Sequence, residues 1–281
     1  MTTSIFRNIE KITINDCNIQ YYTWNHKHEG AKKIDDLLQH YLVSQNWNIF
    51  IKKNSNTIDI GAHSGDTLLP LYIAGSDYGV YKTKVLAIEP NPIVREICEL
   101  NAKSNISKNV EIEVISHAVT DKDNIEVVLF DHGNEMCNGG IIHDSFSDEL
   151  KNVLNNIPNK KGVNVIGMTL KSICNKYFTK EQLDNLSFIK IDTEGYDREI
   201  IRSSKDFLNE YKPVVFMEWF DWYSKAESEE LFKVINDINY IPFNPMTLEI
   251  SNIEQKTWDL LIIHKEDIEN LNKTKFYKND I

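Results

Sequence analysis

Cysteine is scarce in this chain: Cys17, Cys98, Cys137 and Cys174 are the only four among 281 residues, and no two stand in a C-x-x-C pair. That spacing offers neither a zinc site nor a dithiol redox motif, and free thiols in a reducing compartment are the simplest reading. Glycine and proline are also few, 11 and 7, which excludes fibrous and low-complexity classes. Basic side chains are outnumbered, 31 against 42 acidic, and the net charge of −11 disfavours long-range attraction to nucleic acid or anionic membrane. No stretch approaches the ~20 apolar residues of a membrane span, and the opening M-T-T-S-I-F-R-N-I-E lacks the apolar run of a secretory signal. A cytoplasmic location is therefore expected. What remains, 41% hydrophobic and 26% charged, is the composition of a globular domain with a full core.

The chain begins irregularly, with a strand-like K-I-T-I and the aromatic residues Tyr21, Tyr22 and Trp24. Ile34, Leu37, Leu38, Tyr41 and Leu42 recur at three- and four-residue spacing and predict an amphipathic helix over 34–45. Residues 1–50 are read as an appendage covering the active-site side of the core. Strands N-T-I-D-I, K-V-L-A-I-E and V-E-I-E-V-I then alternate with helices, one expected after Gly65 and one over 93–103, which implies a mainly parallel, doubly wound sheet. The rhythm breaks after His117: I-E-V-V-L-F and V-N-V-I-G-M look like an extra pair of strands around a polar segment, giving an inserted hairpin or lid over 131–165. It resumes with L-S-F-I-K-I-D, a single helix over 197–208, P-V-V-F-M-E, a helix over 228–239, and late strands over 241–250 and 258–263. The domain is placed at 51–270, with a tail at 271–281.

The turn after the first core strand, T-I-D-I-G-A-H-S-G-D, carries the most chemistry. Gly61 and Gly65 permit a sharp reversal and a close approach of backbone to a ligand. The G-x-G-x-x-G of dinucleotide folds is missing, and Asp59 at the strand end would repel a pyrophosphate. An acid there suits a cationic or hydroxyl-rich ligand, a description that S-adenosylmethionine fits.

Together with A-I-E-P-N-P and I-K-I-D-T-E-G-Y-D, this turn resembles the FkbM-type family of S-adenosylmethionine-dependent methyltransferases over roughly residues 50–222. The resemblance implies a Rossmann-like class I methyltransferase fold: a mostly parallel seven-stranded sheet, helices on both faces, the last strand antiparallel. It implies methyl transfer from S-adenosyl-L-methionine, with a sugar, glycan or other small-molecule hydroxyl as the expected acceptor. A non-catalytic cofactor-binding protein and a nucleotide-dependent oxidoreductase are the alternatives.

On that reading Asp59, Gly61, Ala62 and Gly65 hold the methionine end of the cofactor. Glu89, with Pro90 and Asn91, receives the ribose hydroxyls, by the logic that places an acid at the second strand end of dinucleotide folds. His117, Ala118 and Val119 frame the adenine, or form a plain surface turn. Lys190 and Asp192 share one face of a strand otherwise made of Ile, Phe and Leu, so they form a structural ion pair or serve a ligand. Asp192 and Glu194 are the first candidates for removing the acceptor's proton, followed by His63 and Glu218. Asp192 also faces the cofactor. A divalent ion such as Mg held by Asp192 and Glu218 would lower the hydroxyl's pKa. His132 and His143 of the insertion, with Asp131, Glu135 and Asp144, either touch substrate or belong to a solvated loop. Trp219, Phe220, Trp222 and Tyr223 form either a sugar-stacking platform or core packing.

Overall fold

The computed structural model describes residues 6–14, 17–24, 51, 55–68, 83–105, 110–131, 139–156 and 162–268. An antiparallel hairpin, β1 (Phe6–Ile14) and β2 (Cys17–Trp24), comes first. The expected helix over 34–45, most of the helix after Gly65, and His132 and Glu135 lie outside the described residues. The core strands follow as β3 (Asn56–Ile60), β4 (Thr83–Ile88) and β5 (Val110–Ile115), with helix α1 (Pro92–Ser104) between the last two. Pro92 opens α1 because its missing N–H costs nothing there, and the Asn91 side chain caps the helix by accepting from the Ile93 N–H.

The second half supplies β10 (Leu186–Ile191), β11 (Val214–Glu218), β12 (Tyr240–Phe243) and β13 (Asp259–His264). These complete a seven-stranded sheet of order β12-β13-β11-β10-β3-β4-β5. Within it β3, β4, β5, β10 and β11 run parallel, and β13 lies antiparallel between β11 and β12. This is the sheet the family resemblance implies, last strand included. Strands β3 and β10 are buried along their whole length; β10 reads accordingly as a mainly apolar run, whereas β3 buries Asn56, Thr57 and Asp59 beside its two isoleucines. Alternation sends Ile58, Ile60, Ile189 and Ile191 into one core layer, and Val85, Ala87, Phe188 and Phe216 into the other.

Between β5 and β10 a second, four-stranded sheet intervenes: β6 (Ala118–Val119), β7 (Ile125–Asp131), β8 (Gly139–Gly140) and β9 (Gly162–Met168), in the order β6-β9-β7-β8. The two strands expected here, β7 and β9, do pair antiparallel. The extra sheet begins at Ala118, ahead of the expected 131–165, and contains helix α2 (Asp148–Asn155).

Three expectations need correction. The stretch between β9 and β10 holds two helices that apolar periodicity did not reveal, α3 (Leu170–Tyr177) and α4 (Lys180–Asp184). Their signals are caps: Thr169 before α3, and a reciprocal Thr179–Gln182 capping box before α4. The helix expected over 197–208 is two, α5 (Asp197–Ser203) and α6 (Lys205–Tyr211), broken at Ser204. The late strand expected over 241–250 stops at Phe243, because the Asn244 side chain accepts from the N–H groups of Met246 and Thr247 and folds the chain back. A further helix, α7 (Lys225–Asp237), starts at a Ser224–Glu227 capping box.

Candidate active site

The carboxyl ends of β3, β4 and β10 open into one cavity of about 250 Å³. Gly61, His63, Glu89, Pro90, Asn91, His117, Ala118, Val119, Lys190, Asp192 and Glu194, all expected from the sequence, line it. Asp59, Ala62, Gly65 and Glu218, also expected, do not.

Gly61 shows why. Its φ is +75°, and a Cβ built there would fall 1.7 Å from the carbonyl oxygen of Asp192. The close approach that glycine permits is thus between the ends of β3 and β10, where the Asp192 N–H also donates to the Ile60 carbonyl at 3.0 Å. Gly65 has a φ of +85°, but a Cβ there would meet nothing nearer than 3.6 Å. Conformation alone asks for glycine at that position.

Asp59 is fully buried beneath this turn. Lys190 stands 3.5 Å from it, an ion-pair distance at which no hydrogen bond closes, so neither Asp59 oxygen has a hydrogen-bond partner among the described residues. Burial pushes the Asp59 carboxyl up to about 6 against the pull of Lys190. The Lys190 ammonium donates to the Gly61 carbonyl at 2.9 Å and stands 3.3 Å from Asp192. Burial works against its charge, but Asp192 and Asp59 outweigh that and hold it above the ordinary lysine value. Lys190 is therefore a fixed cation joining the first and fourth parallel strand ends, and Asp192 is its exposed partner, 40% accessible at the side chain.

Glu89, just past β4, is 5% exposed and held by backbone on both sides. One oxygen accepts from the His63 N–H at 2.7 Å and the other from the Asn91 N–H at 2.8 Å. Burial raises its pKa. Each carboxylate oxygen has capacity for a second hydrogen bond, so a held Glu89 at the cavity wall can still receive a pair of hydroxyls. His117 has a pKa lowered by burial, and its Nδ1 is buried with no hydrogen-bond partner among the described residues.

Glu218 belongs to a different group. It pairs in register with Asp259 on β13, and Met217 pairs with Ile191 beside Asp192. Asp192, Glu218 and Asp259 therefore form a row across three neighbouring strand ends. Burial, then the charges of Asp192 and Asp197, pushes the Glu218 carboxyl well up, and burial and Asp192 push Asp259 to about 7. Among the described residues no group of three or more His, Cys, Asp or Glu is arranged to hold a metal ion.

The aromatic platform also resolves. Trp219, Phe220 and Tyr223 are core residues, at 1%, 3% and 6% exposure, and Trp222 alone reaches solvent. Phe220 packs on Gly195, and the Tyr223 hydroxyl donates to the Gly195 carbonyl at 2.6 Å, which fixes the segment bearing Glu194. Sequence reasoning missed Thr193 and Tyr196 as lining residues, although both lie in a quoted motif. It also missed Leu129 and Ile141, which the second sheet contributes. Nothing local marks those two.

Comparison with protein families matches the Methyltransferase FkbM domain to residues 59–242. Comparison with curated proteins returns no match. Among solved structures the chain is similar to methyltransferase FkbM from Methylobacillus flagellatus KT, at 16% identity and a TM-score of 0.45, over 75% of this chain and 44% of that one. It thus spans less than half the length of that protein. It is also similar to M. jannaschii TYW2 in complex with AdoMet (13% identity, TM-score 0.38, 91% of this chain and 83% of that). A further similarity is to a SAM-dependent methyltransferase from Aquifex aeolicus (11% identity, TM-score 0.41, 84% and 100%). No described helix is long and apolar enough to cross a membrane.

Proposed function

Because the chain belongs to the FkbM family of S-adenosylmethionine-dependent methyltransferases, we propose that it methylates a hydroxyl group of a small-molecule or glycan acceptor. The observation that carries the reading is Glu89: a buried carboxylate, clamped by two backbone N–H groups, on the wall of a cavity at the carboxyl edge of a parallel sheet. That is where an open α/β sheet binds its ligand, and a clamped acid there suits a vicinal diol such as a ribose.

The residues present fit the donor. Of the residues that line the cavity, Glu89 would receive the ribose hydroxyls, Ile88, Val94, His117 and Val119 would offer surface for a purine, and Gly61 and His63 would hold the amino-acid end. When bound, S-adenosylmethionine supplies a methyl group already made electrophilic by its sulfonium. The protein then has two tasks, alignment and proton removal. Alignment falls to the rigid strand ends tied by Lys190, and near-attack positioning alone can supply much of a rate enhancement. A sugar or aliphatic hydroxyl must lose its proton as it reacts. Asp192, partly exposed on the cavity wall and oriented by Lys190, takes it, with Glu194 and His63 as neighbouring groups. The reading includes a cytoplasmic setting, supported by the buried free thiols Cys98 and Cys174.

The test is calorimetry with S-adenosylhomocysteine, followed by a labelled-methyl screen over saccharides and aliphatic alcohols. Binding followed by methyl ether formation is expected. Absence of S-adenosylhomocysteine binding overturns the donor assignment; methylation of nitrogen or carbon overturns the acceptor.

A further inference from the structure

The N-terminal hairpin meets the domain through Asn101 of α1 and Asn105, which caps the C-terminus of that helix. The Asn101 side chain accepts from the Tyr22 N–H at 2.6 Å and donates to the Tyr22 carbonyl at 3.2 Å. One helical turn later, Asn105 accepts from the Gln20 N–H at 2.8 Å and donates to the Gln20 carbonyl at 2.7 Å. Two side-chain amides thus replace a neighbouring strand along one edge of β2. The match is geometric. Positions four apart on a helix advance ~6 Å and positions two apart on a strand ~6.6 Å, so the two repeats run in step. Edge groups of a strand need such cover.

Asn101 does one thing more. It is fully buried, and its amide also donates at 2.8 Å to the carbonyl of Ser64. Ser64 lies in the turn after β3, between His63 and Gly65, both at positive φ. The preceding residue, His63, carries the N–H that clamps Glu89. The chain of bonds from Tyr22 through Asn101 to Ser64 therefore leads to a backbone conformation that fixes both the turn and the acid.

We propose that Asn101 is a positioning residue for the donor site and that it couples the N-terminal hairpin to donor binding. Coupling of this kind is reciprocal: a ligand that favours the ordered turn favours the docked hairpin, and the docked hairpin raises affinity for the ligand. Asn105 separates this coupling from a direct effect, since among the described residues its side chain bonds only the hairpin and the Asn101 carbonyl.

The inference rests on the donor assignment above, and the experiment keeps the two apart. S-adenosylhomocysteine is titrated calorimetrically into the full chain, as wild type, Asn101→Ala and Asn105→Ala. Hydrogen exchange over residues 17–24 is followed in the wild type with and without saturating ligand. The expected results are an affinity loss of about tenfold for Asn101→Ala, a loss of about threefold for Asn105→Ala, and slower exchange at Gln20 and Tyr22 when ligand is bound. Wild-type affinity in Asn105→Ala, or exchange unchanged by ligand, overturns the coupling while leaving the donor assignment standing. A wild type that binds no S-adenosylhomocysteine overturns the donor assignment itself. Should Asn101→Ala fail to fold, the Asn105 variant and the wild-type exchange decide.

Discussion

Replacing Asp259 by Asn should make the protein more stable, and increasingly so as pH rises. Asp259 sits in the carboxylate row beside Glu218, where burial first and the Asp192 charge second push its pKa from 3.8 to about 7. The folded state therefore keeps a proton that the unfolded state has lost between those values. Stability from this group is fully present below pH 3.8 and is lost as pH rises through 7. At about 1.4 kcal/mol per pH unit the shift has a ceiling of about 4 kcal/mol. Asp259 lies at the rim of the sheet with part of its side chain in solvent, so solvent screening brings the working figure to about 2 kcal/mol. Asn cannot ionise and escapes the penalty. The difference in Tm between Asp259→Asn and wild type should thus grow in the variant's favour by about 4–8 °C between pH 4.5 and pH 8. Differential scanning calorimetry across that range measures it. His117 and His264, whose pKa values burial lowers, act with the opposite sign over the same window, but they do so in both proteins and cancel in the difference. A difference that stays flat with pH, or a variant less stable than wild type at pH 8, would show that the row is neutralised by other means.

Glu89→Gln replaces one clamped oxygen by an amide that faces a backbone donor. A charge-assisted bond of about 1.5–3 kcal/mol is at stake, so affinity for S-adenosylhomocysteine should fall at least tenfold by calorimetry. Gly61→Ala combines a left-handed backbone, costing about 1–2 kcal/mol, with a Cβ 1.7 Å from the Asp192 carbonyl. Its Tm should drop far more than that of Gly65→Ala, where the backbone cost stands alone; equal effects would refute the close-approach argument. Asp192→Asn should lower methyl transfer by a factor of about 10²–10⁴, the range for a lost general base, while leaving S-adenosylhomocysteine affinity within about threefold. Normal turnover in this variant would remove Asp192 as the base.

Much of the sheet was legible because buried parallel strands leave little choice of sequence. The run L-S-F-I-K-I reads as a strand since every residue but one charged exception is apolar or small, and the exception, Lys190, marks the site. The three strand-end motifs were legible for the same reason, as charges and glycines stand out against an apolar run. What escaped detection depended on partners distant in sequence. Asn101 looks like an ordinary polar residue in an amphipathic helix; only the hairpin some 80 residues earlier gives it a role. Leu129 looks like a strand residue and Ile141 like part of a polar loop, and nothing nearby says that the insertion folds back to line the cavity. Helix α4 was missed because five residues are too few for periodicity. The reading of Gly61 as a ligand contact was incomplete because the atom that excludes a side chain belongs to Asp192, on another strand.

The second sheet resembles a lid in the sequence, a long polar insertion beside the site, yet its segment 143–147 is bolted down. Ser145 donates to Glu199 at 2.6 Å, the Ser147 N–H donates to Glu227 at 3.3 Å, and the His143 ring stands edge-on to Tyr196. Glu199 also receives Arg198 at 3.0 Å and Arg202 at 2.7 Å, and Glu230 pairs with both arginines. Burial pushes the Glu199 carboxyl up, but Ser145 and the two arginines outweigh it and hold it below the ordinary value. Two cations thus face two anions, and Arg198, fully buried, lies over the rings of Phe146 and Tyr223. Buried networks of this kind add little net stability, but removing one member leaves an unpaired charge at a cost of about 3–5 kcal/mol, so they hold geometry firmly. The geometry held here is that of Tyr196, which lines the cavity, against the inserted segment that supplies Ile141. Since Ile141 and Leu129 carry no polar side-chain atoms, that wall can exclude water and set shape only. The polar side chains of the cavity come instead from Tyr196, from the neighbouring Asp192, Thr193 and Glu194, and from the ends of β3 and β4.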